Sequence, residues 1–402
     1  MPWTTTTPMS QRQDFVRLAH QGPYPITELC IAFGISEKTG HKWLARFDAE
    51  GMPGLADRSH APHTPPHQLS AALTAEILAL RAAHRTWGPR KLRARLVATR
   101  PDLPWPATST IGALLHRRGL VRSHRRPGGG PARWAPLDRP LTRATAPNDV
   151  WTADFTGEFR VGAGRYCFPL TVVDAQSRFL LGCTALGSTA SAPAHVVFTR
   201  LFRTYGVPRV IRSDNGVPFA SPLALCRLSA LAVWWIRLGI RPERIAPGQP
   251  EQNGAHERLH KTLKAETTRP PALTLMRQQA CFDRFRREYN TERPHEALGL
   301  RPPASCYTPS PRPFPPRLPP LEYPPTAEIR RVSSNGSVKW KSNFVWLTSA
   351  LAGEDVALEQ TTADTWTVAF GPLVLGTFDA ATRHLTPESY WKLDIADQHP
   401  HP

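Results

Sequence analysis

Three acidic residues in this 402-residue chain stand where a purely structural account of them is weakest. Asp154 falls inside the run VWTADF, and a carboxylate on a core strand is costly unless something compensates its charge. Asp214 ends the apolar run RVIRSDNG, while Glu257 lies in EQNGAHERLHKTLKAE, which follows the breaker PGQP and has helical spacing. Carboxylates delivered from two strand ends and a helix, with no Cys or His partner pattern, are hard oxygen ligands suited to Mg²⁺ or Mn²⁺ rather than zinc. The chemistry such a set supports is metal-dependent phosphoryl transfer.

Each acid also has a plainer account. Asp154 could help form the turn at Phe155-Thr156-Gly157, Asp214 could open the Asn215-Gly216 turn, and Glu257 could make an i,i+4 pair with Lys261. Asp174, in VVDAQSR between two apolar runs, reads as a hairpin-turn residue. The fifteen histidines are dispersed, with no spacing that marks a metal site, and the six cysteines contain no Cys-x-x-Cys pair. A disulfide framework and a thiolate zinc site are both disfavoured.

The elements that must position these acids follow from periodicity. DVWTADFTG, YCFPLTVVDAQSRFLLGCTAL and VPRVIRSDNG supply short strand-like runs, and SAPAHVVFTRLFRTYG between them has helical spacing, so the order β, β, β, α, β predicts a mixed sheet with helices. Upstream, ITELCIAFGIS followed by EKTGHKWLARF is the helix-turn-helix pattern, with Gly34 at the turn and Ser36 as N-cap. Its second helix would present Lys38, Thr39 and Lys42 to a DNA groove while Trp43 and Phe47 pack inward. An ordinary helical hairpin is the competing account, and Gly40 weakens the helix by about 1 kcal/mol. A second helical unit runs from about Leu69 to Leu120. Between Pro302 and Pro325, 11 of 24 residues are proline, which predicts an extended spacer. Beyond it lie an Asn335-Gly336 hairpin signal and several short strands, as in a small β-barrel.

Charge narrows the partner. Lys and Arg number 50 against 32 Asp and Glu, giving +18, which points to a polyanion. Residues 51 to 146 alone hold 16 basic and 4 acidic side chains, among them Arg90, Lys91, Arg93, Arg117 and Arg118. That is an electrostatic footprint for phosphate contact, although an arginine-rich solvated helix face would look the same. No run approaches the roughly 18 apolar residues of a membrane span. The opening MPWTTTTPMSQRQDF lacks the basic and apolar regions of a secretion signal, so the chain is expected to stay where it is made.

Taken together, WTADFTG, VVDAQSR, IRSDNGVPFAS and PGQPEQNGAHERLHKTLKAE, followed by YNTERPHEALG, resemble the integrase catalytic core of the Asp-Asp-Glu transposases and retroviral integrases, which has an RNase H-like fold. The resemblance covers residues 148 to about 300. With the helical units and TWGPRKL upstream, the chain is most similar to bacterial insertion-sequence transposases of the IS481 type. The resemblance implies an α/β RNase H-like core with a mixed five-stranded sheet, preceded by two helix-turn-helix-type all-α domains and followed by a small all-β barrel. The corresponding boundaries are 1–60 for the first helix-turn-helix domain, 61–122 for a second, winged-helix-like one, 123–147 for a basic linker, 148–300 for the core, 301–325 for the proline-rich linker and 326–395 for the barrel.

The resemblance also implies that Asp154, Asp214 and Glu257 are the catalytic and metal-binding residues, holding two Mg²⁺ or Mn²⁺ ions. Lys261 and Lys264 would hold DNA phosphates from the face of the helix that carries Glu257. Forty-two residues separate Asp214 from Glu257, more than is usual in retroviral integrases, and LSALAVWWIRLGI reads as an extra or lengthened helix that absorbs the excess. Glu243 and Glu251 are rivals for the third acid, but neither is followed by the basic helix. The expected function is binding of terminal inverted repeats, donor-strand cleavage and strand transfer into target DNA, by a dimer or larger homo-oligomer on paired ends. The expected setting is the bacterial cytoplasm, associated with the nucleoid. An inactive DNA-binding regulator of the same fold and a nuclease that cuts without joining are the alternatives.

Overall fold

The computed structural model describes residues 7–58, 69–121, 141–221, 224–246 and 250–388. Residues 122–140 (most of the basic linker at 123–147), the side chain of Glu251 and the end of the chain beyond 388 lie outside the described residues. The chain divides into two compact units, residues 1–70 and 71–402.

In the first unit, α1 (Pro8–Gln21), α2 (Ile26–Ala32) and α3 (Glu37–Glu50) enclose Phe15, Val16, Leu29, Cys30, Trp43 and Leu55. Ser36 caps α3 by accepting a hydrogen bond from the Thr39 backbone N–H, and Gly34 takes the left-handed turn between α2 and α3 with φ of 65°. Gly40, unfavourable for helix propensity, has a packing reason: a Cβ there would lie 2.5 Å from Cys30 Sγ and 3.0 Å from Phe15 Cζ. The absent side chain lets α3 approach the helices beneath it.

The second unit opens with α4 (Ala71–Ala83), α5 (Pro89–Thr99) and α6 (Thr108–Arg117), with Pro89 in the first turn of α5, where its missing N–H costs nothing. The mixed sheet follows. Its strands are β1 (Val150–Phe155), the two-residue β2 (Phe159–Arg160), β3 (Tyr166–Asp174), β4 (Leu180–Leu186), β5 (Val210–Ser213) and β6 (Arg241–Arg244). The order across the sheet is β4-β3-β1-β5-β6, with β2 on β3; β1, β3 and β4 are antiparallel neighbours, whereas β1, β5 and β6 run parallel. α7 (Ser191–Tyr205) makes the crossover that parallel pairing requires.

Alternation along β1 sends Trp151 and Ala153 to the face covered by α7 and α8 (Ala230–Arg237). The opposite face meets α9 (Gly254–Thr267) and α10 (Leu275–Thr291) through Leu259, Leu263, Phe282 and Phe285. Thr152 and Asp154 belong to that second face, which fixes the side from which α9 can reach them. Asp174 is fully buried at the end of β3, accepting from the backbone of Asn148 and from Ser177, as suits a residue that closes the β3–β4 turn.

The C-terminal part is all-β. β7 (Glu328–Arg331), β10 (Asp355–Gln360), β11 (Thr365–Phe370), β12 (Leu373–Asp379) and β13 (Leu385–Pro387) form one antiparallel sheet, while β8 (Ser337–Trp340) pairs with β9 (Asn343–Trp346). The Asn335-Gly336 turn is present, with Asn335 accepting from Ser333 and from the Ser337 N–H, but it does not join a paired hairpin. β7 pairs with β10, so Arg330 and Arg331 lie on a different sheet from Lys339. Val338, Trp340, Val345, Phe370 and Phe378 share one apolar core with Leu228, Val233 and Ile236 from α8 and the segment before it. The segment behind the long Asp214–Glu257 spacing therefore both covers the main sheet, through Trp235, and seats the β-module.

The proline-rich stretch is anchored rather than free. Tyr307 stacks on Phe179 at 4.3 Å and donates to Asn148, Arg312 donates to the carbonyls of Pro208, Leu238 and Gly239, and Phe314 packs beside Phe202 and Trp234. Proline removes backbone donors from this stretch, and its aromatic and arginine side chains supply the attachment instead. Among the described residues no helix is long and apolar enough to cross a membrane.

Candidate active site

β1 and β5 are in parallel register, with Ala153 opposite Ser213, so the next residue of each strand, Asp154 and Asp214, emerges side by side at the same sheet edge. Neighbouring strands lie about 4.8 Å apart, which brings the two carboxylates into direct electrostatic contact. Burial pushes the Asp154 carboxyl up to about 7, and the charge of Asp214 and, more weakly, that of Glu257 add to the rise. Asp214 is raised too, chiefly by burial, although the Gly216 N–H it accepts works in the opposite sense. Asp214 therefore does open the Asn215-Gly216 turn, and the same turn sets its carboxylate beside Asp154.

Glu257 occupies the first turn of α9, exposed, and makes no ion pair with Lys261 among the described residues. It is near enough to act on Asp154 electrostatically, yet no group of three His, Cys, Asp or Glu side chains among the described residues is gathered closely enough to hold an ion as it stands. Lys261 and Lys264 are exposed on α9, and Lys264 Nζ reaches the turn after β1, 3.4 Å from where a Cβ on Gly157 would be. Glu243 is engaged elsewhere: it accepts from Arg212 at 2.6 Å and from Thr142, which hold its carboxyl below the usual range against the effect of burial.

Behind the aspartates lies a polar network that spacing alone did not single out. Thr171 on β3 donates to the Asp154 backbone carbonyl and meets His256 Nε2 at 2.6 Å and His260 Nε2 at 2.8 Å. His256 Nδ1 lies 2.9 Å from Thr152 Oγ1, and His260 Nδ1 lies 3.9 Å from Asp154 Oδ2. Burial, helped by Lys264, lowers His260 to about 4, and burial takes His256 well below its ordinary value, so both rings are neutral at pH 7. Neither ring offsets the aspartate charge. Their i,i+4 spacing in GAHERLH put them on one side of a helix, the one available signal. Asn253 donates to Asp154 Oδ2 across 3.3 Å.

The expected DNA contacts are distributed unevenly. Lys38 and Lys42 are exposed on α3, with Lys42 Nζ 4.5 Å over the Trp43 ring, while Thr39 is tied to the Ser36 cap. Arg93, Arg117 and Arg118 are exposed on α5 and the end of α6. Arg90 is exposed as well, its guanidinium 3.9 Å from the exposed Glu296, whereas Lys91 turns toward the core, where burial beside Arg293 lowers it to about 8. The same seam holds His84 against Glu288 at 2.7 Å and Arg95 against Glu292 at 3.1 Å.

A mixed sheet with parallel strands ending in adjacent acids, covered by helices on both faces and preceded by a helix-turn-helix unit, defines an RNase H-like integrase-core protein. Integrase core domain models match residues 144–250 and 238–303, a helix-turn-helix domain model matches 11–63, and a homeodomain-like domain model matches 39–115. The 39.2 kDa protein of insertion element IS476 from Xanthomonas euvesicatoria is 30% identical over 267 residues, covering 66% of this chain and 72% of that protein. The 31.7 kDa protein of insertion element IS407 from Burkholderia multivorans is 27% identical over 247 residues, 61% of this chain and 83% of that one. Among solved structures, the HTLV-2 integrase catalytic core in complex with magnesium aligns with 15% identity and a TM-score of 0.33, over 41% of this chain and 99% of that chain. The chain belongs to the insertion-element family of transposase and integrase proteins with an integrase core.

Proposed function

We propose that this protein is a DNA transposase that binds the terminal inverted repeats of its element, cleaves the donor strand and transfers it into target DNA. The observation that carries the reading is the pairing of Asp154 and Asp214 on adjacent parallel strand ends, with Glu257 on the helix beside them. The donor set fits a divalent cation: two oxygen-only groups repel each other, neither is ion-paired with a Lys or Arg among the described residues, and the nearest histidine is neutral. Asp154, Asp214 and Glu257 would hold Mg²⁺ or Mn²⁺, two ions in all, which when bound activate an attacking oxygen and neutralise a leaving one in an in-line displacement at phosphorus.

This chain's own groups prepare that site. Thr171, His256 and His260 fix the backbone and face of β1, Asn253 restrains one oxygen of Asp154, and Lys261 and Lys264 supply positive charge for the DNA backbone. Residues 1–60 and 61–122 would read the element's ends, with Lys38, Lys42, Arg90, Arg93, Arg117 and Arg118 as the exposed contacts. The core at 148–300 would carry out the chemistry, and the β-module at 326–395 would assist assembly of a dimer or larger oligomer on paired ends. The setting would be the bacterial nucleoid. The test is incubation of the full chain with duplexes carrying the element's own ends and with target plasmid. Mg²⁺-dependent nicking followed by joining supports the reading, binding without cutting indicates a regulator, and cutting without joining indicates a nuclease.

A further inference from the structure

Two residue pairs behind Asp154 and Asp214, the sheet opens into a pocket of about 350 Å³. Thr152 on β1 and its register partner Arg212 on β5 form part of the wall, joined by Arg143, Arg178, Asn253 and His256. Two residues of strand amount to about 7 Å, so the pocket is contiguous with the acidic edge. Asn253 belongs to both, lining the pocket while its amide donates to Asp154.

The charge in this pocket is of one sign. Three arginines line it and no Asp or Glu is among the described residues that do. Arg212 is compensated by Glu243, but Arg143 and Arg178 have no carboxylate partner among the described residues. Arg178 is half-buried in the β3–β4 turn, set there in left-handed backbone with φ of 62° by the turn that Asp174 closes through Ser177. Gly254 and Ala255 bring the start of α9 to the same wall, and α9 has no side-chain N-cap because Asn253 is turned toward Asp154. Two guanidinium groups with no carboxylate partner among the described residues, lining one pocket with the polar side chains of Thr152, Asn253 and His256, make an environment for a phosphate oxygen.

We infer that this pocket binds a phosphodiester of the DNA strand lying on the catalytic edge, with Arg143 and Arg178 as its grip. The source of the phosphate rests on the transposase reading. A strand whose reacting phosphate sits at Asp154 and Asp214 continues past Asn253 into the pocket, so the two arginines set the register in which the strand meets the acids. They act as positioning residues, distinct from Lys261 and Lys264 on the exposed face of α9.

The test is affinity of full-length protein, in EDTA, for element-end duplexes each carrying a single charge-neutral methylphosphonate at successive positions. In wild type, one position beside the scissile phosphate should weaken binding about tenfold when neutralised, the usual worth of a hydrogen bond to a charged group. An Arg143→Gln/Arg178→Gln variant should bind charged and neutral duplexes equally at that position, remain sensitive elsewhere, and show a log–log salt slope shallower by about 0.9 for the one phosphate lost. The exposed Arg143→Gln alone should give a partial form of the same signature if the double variant does not fold, and Arg178→Lys should recover most of the effect. A variant as sensitive as wild type at every position overturns the inference. Thymidine monophosphate or inorganic phosphate filling the pocket without competing with duplex would assign it to free nucleotides or phosphate and overturn the DNA assignment. Because none of this requires cleavage, a positive scan in a protein that never cuts with Mg²⁺ would reject the transposase reading while leaving the phosphate site standing.

Discussion

Asn253 stands at the N-cap position of α9 yet donates its side-chain amide to Asp154 Oδ2 across 3.3 Å instead of capping the helix. That single hydrogen bond ties the helix bearing Glu257 to the strand bearing the first acid. It places the start of α9 by what the site needs rather than by what the helix end would prefer.

Asp154→Asn, Asp214→Asn and Glu257→Gln should each lower Mg²⁺-dependent cleavage and joining by on the order of a thousandfold or more while leaving end binding near wild type, since they remove charge from the ion site alone. Gel assays of cutting and binding on the same duplex check this. Normal activity in Glu257→Gln would move the third ligand to Glu251, because Glu243 is occupied by Arg212 and Thr142.

Without metal, Asp154 costs stability. Its folded value of about 7 lies above an unfolded value near 3.9, so the penalty is absent below pH 4, grows between pH 4 and 7, and is complete above 7. Metal-free Asp154→Asn should therefore melt higher than wild type at pH 8 and equal to it near pH 4. Adding Mg²⁺ should raise the wild-type midpoint at pH 8 and leave the variant unmoved.

Lys91 gives the opposite sign. Burial beside Arg293 takes its folded value to about 8, below an unfolded value near 10.4, so the protonated lysine penalises the fold below pH 8 and the penalty fades toward pH 10.4. Lys91→Met should melt at or above wild type at pH 7, with the gap narrowing as pH rises from 8 to 10. A variant less stable than wild type at pH 7 would mean that its contacts with Glu296 and Glu266 outweigh burial.

Gly40→Ala should disturb the first unit out of proportion to the added methyl. Ala is the better helix former, but its Cβ would meet Cys30 Sγ and Phe15 Cζ closer than side chains pack, at a cost of about 1–3 kcal/mol. Faster proteolysis within residues 7–58 of the full chain, with the core unaffected, is the expected reading. A stabilised protein would show that α3 does not need the close approach.

Ending the chain after residue 308 should uncover Leu228, Val233 and Ile236, which share their core with the β-module. The truncated protein should bind a hydrophobic dye and aggregate rather than behave as a soluble core lacking one accessory domain. Loss of joining on truncation is thus no measure of an assembly role. The β8–β9 hairpin alone, altered by Lys339→Glu and Lys341→Glu, isolates that role, and the mass of the complex on paired-end DNA reads it.

The local elements were written in the sequence because they depend on neighbours within a few residues. The Ser36 cap and Gly34 turn, the alternation that puts Asp154 on the face opposite Trp151, and the helix after PGQP that carries Glu257 all follow from short-range periodicity and turn chemistry. The ordered motifs around Asp154, Asp214 and Glu257 likewise pointed to the integrase core. What the sequence could not decide was pairing at a distance. Only tertiary packing gave Lys91 to the core while leaving its neighbour Arg90 in solvent, sent β7 to β10 instead of β8, and turned the proline-rich stretch into an anchored strap through Tyr307, Arg312 and Phe314. It also buried His256 and His260 behind the aspartates and left Arg143 and Arg178 lining one pocket with no carboxylate among its described residues. The reason is physical: a residue's charge and burial are fixed by what folds against it, and those partners here lie tens to hundreds of residues away along the chain.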